Sequence, residues 1–244
     1  MNIYYGLDSF NRLKKNLAIT VGSFDGLHKG HIKVIEKLFS ASRENSSENC
    51  LITFDPHPRI LLSDIKENFL LSTLQEKMYL LESTNLVDNI LVIPFDKSFS
   101  QISSSDFIES VILKNNRPHS IIVGYDTHFG RDRMGDITML KNILTAYKTQ
   151  IHIVEPEMND GQVISSSLIR NRIKFGEVTS ANDLLGYKYF LQGHVVRGEG
   201  RGAILGFPTA NIEFTDRIKI LPQNGVYAVS VFYDGNEYRG MMNI

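Results

Sequence analysis

Between residues 17 and 156 the chain alternates short apolar runs with amphipathic stretches. The runs LAITV, CLITF, NILVI, HSIIV and QIHIV start at 17, 50, 89, 119 and 150. They are rich in Ile and Val and almost continuously apolar, the pattern of strands covered on both faces, so they predict five parallel strands. Between them, HIKVIEKLFSA places Ile32, Ile35, Leu38 and Phe39 on one helical face, and LQEKMYLLE does the same with Leu74, Met78 and Leu81. Thr73 and Glu76 have capping-box spacing, Ser103 and Asp106 precede FIESVILK, and Asp136 can cap ITMLKNILTAYK. Alternating strand and helix predict an α/β sheet with right-handed crossovers. After about residue 187 the pattern changes to strand, glycine-rich loop and strand, then to GVYAVSVFYDGNEYRG with an Asp-Gly turn at 234 and 235. We therefore expect one domain over 1–186, closed by a linking helix in GEVTSANDLLG, and a hairpin-rich β domain over 187–244. Fifty-eight residues are few for an independent β domain, so the second one is expected to be incomplete.

Composition narrows the class. At 22% charged and 42% hydrophobic residues, the 244-residue chain reads as globular. Twenty-six basic against 27 acidic side chains leave no footprint for a nucleic acid, so any phosphate binding must be local. A single cysteine, Cys50, rules out an intrachain disulfide and a Cys-based zinc site. No window approaches the roughly 18 apolar residues of a membrane span, and the expected location is the cytoplasm.

Ligands of open α/β sheets sit beyond the carboxyl ends of the strands, and the unusual residues here gather there. The first strand runs into Gly22-Ser23-Phe24-Asp25-Gly26-Leu27-His28-Lys29-Gly30-His31 and a helix. A spacing of three puts His28 and His31 on one side of the first turn, Gly30 lets a phosphate approach the backbone, and free N–H groups add positive potential. A second anion candidate is Ile164-Ser165-Ser166-Ser167-Leu168-Ile169-Arg170, where hydroxyls, N–H groups and Arg170 can surround a phosphate, although serines there can equally be plain caps. Two histidines do not complete a zinc site.

Taken together these residues resemble the bacterial bifunctional riboflavin kinase/FMN adenylyltransferase family, also called FAD synthetase. The resemblance rests on the H-x-G-H loop at His28–His31, the Ile164–Arg170 loop, Phe54-Asp55-Pro56-His57-Pro58, and the stretch from Gly124 to Asp136. In that last stretch Thr127 replaces the usual Phe and His128 a frequent Arg. Gly193 to Asn211 is similar to the family's riboflavin kinase signature, with Gly198-Glu199-Gly200-Arg201-Gly202 and Gly206-Phe207-Pro208-Thr209-Ala210-Asn211.

The resemblance implies a Rossmann-like nucleotidyltransferase domain with a parallel sheet, followed by an incomplete all-β riboflavin kinase barrel. It implies transfer of AMP from ATP to FMN, with Mg2+ and with riboflavin as the substrate of the second module. Catalytic roles then fall to His28, His31 and Arg170, and ATP contacts to Gly22, Phe24, Gly26, Gly30, Ser166 and Ser167. Flavin contacts fall to Asp55, His57, Pro58, Asp126 and Phe129, and kinase nucleotide and Mg2+ contacts to Gly200, Gly202, Thr209 and Asn211, with Thr209 and Asn211 as metal ligands. Asp25, Asp55 and Asp126 are all placed to assist Mg2+ in the first module. The family's kinase base is a glutamate beyond its Asn-Ile, and no carboxylate follows Glu237 here, so the kinase module is expected to be a fragment. The competing readings are another small-molecule nucleotidyltransferase, which would lack the C-terminal signature, and a regulatory module that binds nucleotide or flavin without turnover.

Overall fold

A computed structural model describes residues 1–10, 16–114, 117–198, 206, 209–214 and 216–244. Its centre is a six-stranded parallel sheet of β1 (Asn2–Tyr5), β2 (Ala18–Val21), β3 (Asn49–Asp55), β4 (Asn89–Pro94), β5 (Ser120–Gly124) and β6 (Gln150–Val154), in the order β1-β4-β3-β2-β5-β6. The five expected strands are β2 to β6. The sixth, β1, was not foreseen: four residues at a sheet edge, mostly exposed, carry no continuous apolar run.

Strands β2 to β5 are buried on both faces, successive side chains pointing to opposite and covered sides, whereas β6, expected to be covered likewise, is a half-open edge strand with Ile153 exposed. Cys50, Ile52, Leu91, Ile93, Ile121 and Val123 join one cluster with Phe107, Ile108, Leu140 and Leu144. Leu51, Ile90, Val92 and Ile122 face the other way, onto Ile35, Leu38 and Ala41 of the helix Lys29–Glu44 and Leu80 and Leu81 of the helix Leu74–Thr84. A third cluster joins the helices Ser166–Lys174 and Val178–Leu185 to Leu71 and Ile220.

Local signals hold where they are local. Thr73 and Glu76 form a complete capping box, the Asp136 carboxylate accepts from the Met139 amide at 2.8 Å, and Gly186 ends its helix at φ 86°. FIESVIL is helical as expected but wound as a π-helix over Phe107–Leu113, behind a cap at Ser103. Strand order reverses at β2, since β3 and β4 lie to one side and β5 and β6 to the other, so the loop from Gly22 to His31 leaves the sheet at its switch point.

The remaining strands form three two-stranded ribbons: β7 (Met158–Asn159) with β8 (Gln162–Val163), β9 (Gly193–Val196) with β10 (Asn211–Phe214), and β11 (Val226–Tyr233) with β12 (Asn236–Asn243). Asp234 and Gly235 both have positive φ, as a two-residue hairpin turn requires. The faces of the β11–β12 ribbon are largely open, with Phe232 77% and Met241 85% exposed. Among the described residues no helix is long and apolar enough to cross a membrane.

Candidate active site at the switch point of the sheet

His28 is the N-cap of the helix Lys29–Glu44, and its Nδ1 accepts from the His31 amide at 3.3 Å. That bond assigns the proton of a neutral His28 to Nε2. The His31 ring stacks on His28 with centroids 3.7 Å apart and meets Phe24 edge-on at 5.2 Å, while its buried Nδ1 has no hydrogen-bond partner. An unpaired buried polar atom at a helix N-terminus is a vacancy in the hydrogen-bond inventory that a ligand oxygen or water can fill. Gly30 sits in a close space, where a Cβ would lie 3.2 Å from the His28 ring, tight enough to need a small shift, and 3.6 Å from the Ile164 carbonyl, an ordinary contact. The two anion candidates of the sequence are therefore adjacent in space.

Ser165 caps the helix Ser166–Lys174 by accepting from the Leu168 amide, and Ser166 Oγ donates to the Asp25 carbonyl at 3.0 Å, tying the second loop to the first. Ser167 is exposed. Arg170 is buried: its Nη2 donates to the Asp25 carboxylate at 2.7 Å, its Nε donates to the Phe69 carbonyl at 2.9 Å, and its guanidinium lies 4.1 Å from the Phe69 ring centroid. Asp25 is 1% exposed and accepts in addition from the amides of Leu71 and Ser72, both at 3.0 Å. Its oxygens are thus engaged by protein donors, which makes Asp25 the partner of Arg170 and leaves Asp55 and Asp126, both exposed, as open carboxylates at strand ends. Gly26, with φ 79°, packs against Leu71, so that a Cβ would meet that side chain at 2.8 Å.

Burial sets the charge of the site. The His28 imidazole is pushed down to about 4, first by desolvation and further by Arg170, with Asp25 opposing. Desolvation, then His28, Lys77 and Arg170, hold His31 well below the ordinary histidine range, so both rings are neutral near pH 7 in the ligand-free protein. His57 is likewise pushed down to about 4 by burial. Because the unfolded chain binds the His28 and His57 protons near pH 6.5 and the folded one only near 4, the unfolded state holds more protons between those values. Stability is therefore expected to fall as pH drops from about 6.5 to 5, by about 1.4 kcal/mol per pH unit for each such histidine. Urea unfolding at pH 7.5, 6 and 5 measures this, and a midpoint that does not move would refute buried, neutral imidazoles.

The flavin candidates lie on the same rim with unequal exposure. His57 caps the short helix Pro58–Leu62, accepting from the Arg59 amide at 3.1 Å, and its ring meets Phe69 edge-on at 5.2 Å. Phe129 is pinned by two backbone hydrogen bonds to Gly135 and packs near Phe107, with centroids 5.9 Å apart. Asp126 accepts from His128 only through its backbone oxygen. In the C-terminal part, Thr209 and Asn211 are exposed at the start of β10, whereas Gly200 and Gly202 lie outside the described residues. Gly22 and Phe24 belong to the first loop, where a Cβ at Gly22 would meet the Phe24 ring at 3.1 Å.

Several residues at the site carry no motif. Lys77 is 4% exposed and donates to the Ser23 carbonyl at 2.7 Å and Thr53 Oγ1 at 3.2 Å, and desolvation brings its ammonium down to about 8. Its signal was present in the sequence, since a lysine three residues after Leu74 and four before Leu81 sits on the apolar face of that helix. Tyr187 Oη donates to the Gly26 carbonyl at 2.8 Å, a contact no local pattern announces. Among the described residues no three His, Cys, Asp or Glu side chains converge to hold a metal ion.

Comparison with known proteins finds relatives over the length of the chain. A family model described as FAD synthetase matches residues 10–168, and one described as riboflavin kinase matches 185–244. A bifunctional riboflavin kinase/FMN adenylyltransferase of Buchnera aphidicola (from Schizaphis graminum) is 32% identical over all of this chain and 78% of its own length. The protein of the same name from Listeria monocytogenes is 33% identical over 94% of this chain and 72% of its own. A solved structure from Streptococcus pneumoniae, titled a macrolide-efflux protein, superposes with a TM-score of 0.89 at 28% identity, over 100% of this chain and 79% of that one.

Proposed function

Since the chain belongs to the bifunctional riboflavin kinase/FMN adenylyltransferase family, we propose that the site at the end of β2 transfers AMP from ATP to FMN, releasing pyrophosphate and forming FAD. The observation that carries this reading is the pair of stacked imidazoles at a helix N-terminus, with His31 Nδ1 buried and unpaired and Gly30 close to the Ile164 carbonyl. An FMN phosphate oxygen attacks the α-phosphorus in line while the bond to pyrophosphate breaks, so no protein nucleophile is needed and the work is positioning and charge stabilisation. His31 serves the α-phosphate in the transition state and His28, through Nε2–H, the adjoining phosphates. Ser166, Ser167, Gly22, Phe24, Gly26 and Gly30 shape the ATP side. Arg170 acts from beneath, its charge balanced by Asp25 until a polyanion arrives. Asp55, His57, Pro58, Asp126 and Phe129 border the flavin side.

Mg2+ fits a site without a convergent carboxylate cluster, because it keeps several waters and takes substrate phosphate oxygens as ligands. When bound it neutralises charge on the phosphates. Asp55 and Asp126 are the open carboxylates for it in the first module, and Thr209 and Asn211 offer neutral oxygens in the second. The proposed units are 1–186 for adenylyl transfer and 187–244 for the kinase-like part, the proposed partners are small molecules, and the proposed compartment is the cytoplasm.

The test is a pair of incubations of the 244-residue chain with Mg-ATP, one with FMN and one with riboflavin, followed by chromatography of the flavins. FAD from FMN is expected. Riboflavin phosphorylation is expected to be absent or at least about 100-fold slower, since among the described residues each ribbon of the second part is two-stranded and the β11–β12 faces are open. A folded, ATP-binding chain that made no FAD would refute the adenylyltransferase reading, and equal rates in both tubes would refute the inactive kinase part.

A further inference from the structure

Residues 217–220 belong by sequence to the riboflavin kinase match, yet they are built into the adenylyltransferase fold. The amide of Asn68 donates to the Arg217 carbonyl at 3.0 Å, and those of Phe69 and Leu70 donate to the Ile218 carbonyl at 2.7 and 2.8 Å. The Ile220 amide returns a bond to the Leu70 carbonyl at 2.9 Å, and the Ile220 side chain is fully buried beside Leu71, Ile164 and Ile169. Lys219, 5% exposed, donates to the Leu71 carbonyl at 2.7 Å and to Glu76 Oε2 at 2.6 Å, beneath the rings of Tyr189 and Phe190. Glu76 is itself buried and accepts from the Thr73 amide at 2.9 Å, so one ammonium holds both Leu71 and the start of the helix Leu74–Thr84.

The opposite side of the same stretch faces the site. The amides of Leu71 and Ser72 donate to the Asp25 carboxylate, and the Phe69 carbonyl and ring hold Arg170. Leu71 is the hinge of this arrangement, with its carbonyl on Lys219 and its amide on Asp25. A buried ammonium donating to a carbonyl and a carboxylate is a strong tether, and removing it would leave Glu76 buried with one fewer donor. Backbone that sets the place of a buried ion pair also sets the place of whatever that pair steers, here the loop from Gly22 to His31.

We propose that Lys219 is a positioning residue of the adenylyl-transfer site: by fixing Leu71 and Glu76 it holds residues 69–72, which orient Asp25 and Arg170 beside His28 and His31. A segment outside the FAD synthetase match thereby completes that site, an inference that rests on the functional reading above. The two parts of the chain are coupled through covered backbone and a buried ion pair, and not only by the linking helix.

The experiment uses the full chain with Lys219→Met/Glu76→Leu, which exchanges the buried pair for apolar side chains and avoids a stranded charge. Steady-state FAD formation is measured below the melting temperature of each protein, with amide exchange at Leu71 and Ser72 as the structural readout. The expected result is a turnover about tenfold lower, an FMN KM within about twofold of the unsubstituted chain, and faster exchange at both amides. If the double variant does not fold, Lys219→Gln, which keeps one donor, is expected to show the same split at about threefold. Unchanged turnover in a folded variant, with FAD still made by the unsubstituted chain, would overturn the positioning role alone. No FAD from the unsubstituted chain would instead remove the functional reading, and unchanged exchange at Ser72 would remove the coupling independently of activity.

Discussion

Replacing His31 with alanine is expected to lower the turnover of FAD formation on the order of 10²- to 10³-fold while leaving the FMN KM nearly unchanged. His31 stands at the first turn of the helix Lys29–Glu44, and its Nδ1 is buried without a partner in the ligand-free protein. A donor or acceptor poised there is most useful where charge grows, which in adenylyl transfer is the α-phosphate and its bond to pyrophosphate, so FMN binding is expected not to depend on it. The stacked ring also packs His28 and Phe24, so the variant should lose about 1 kcal/mol of stability, too little to unfold the chain. Pyrophosphate release at saturating ATP and FMN, alongside an unfolding curve, measures both effects. Unchanged turnover would take His31 out of the mechanism.

Asp25→Asn is expected to be the most damaging single substitution to stability, at about 3 to 5 kcal/mol, because it strands the Arg170 charge in a buried position. With its oxygen at the Oδ1 position the asparagine can still accept from both the Leu71 and Ser72 amides, but its NH2 group would then face the Arg170 guanidinium where the carboxylate now accepts. Asp25→Leu combined with Arg170→Met should recover part of the loss, since no charge is then stranded, yet not all of it, since the two amides lose their acceptor. Urea unfolding of the single and double variants measures this, and a single variant within about 1 kcal/mol of the parent would show that the pair does not anchor the site. FAD formation should fail in both, because Arg170 is either displaced or absent.

The parts of the fold that came through in the sequence are those whose cause lies within a few residues. Strands β2 to β6 are short runs rich in Ile and Val, the Thr73–Glu76 cap spans one turn, and the Asp-Gly turn at 234 and 235 is a two-residue matter. His28 and His31 belong to the same class, because a spacing of three at a strand-to-helix junction leaves the rings only one side to occupy. Strand β1 is not legible in the sequence because it is a short edge strand without an apolar run of its own, defined by pairing along β4 from Asn89 to Val92. The π-helical winding of Phe107–Leu113 is invisible in an amphipathic pattern that an α-helix would satisfy equally well.

What the sequence by itself determined, then, is the alternation of strand and helix, the caps and turns, the family resemblance and the candidate residues for meeting phosphate. What only the tertiary structure decided is which side chains partner one another over long separations: Asp25 with Arg170, 145 residues apart, and Glu76 with Lys219, 143 apart. Buried charges have to find partners because desolvation leaves them no alternative, but the chain can bring many acids to many bases. The choice among them follows from the strand order and from where residues 217–220 dock, and both are properties of the whole chain packed against itself.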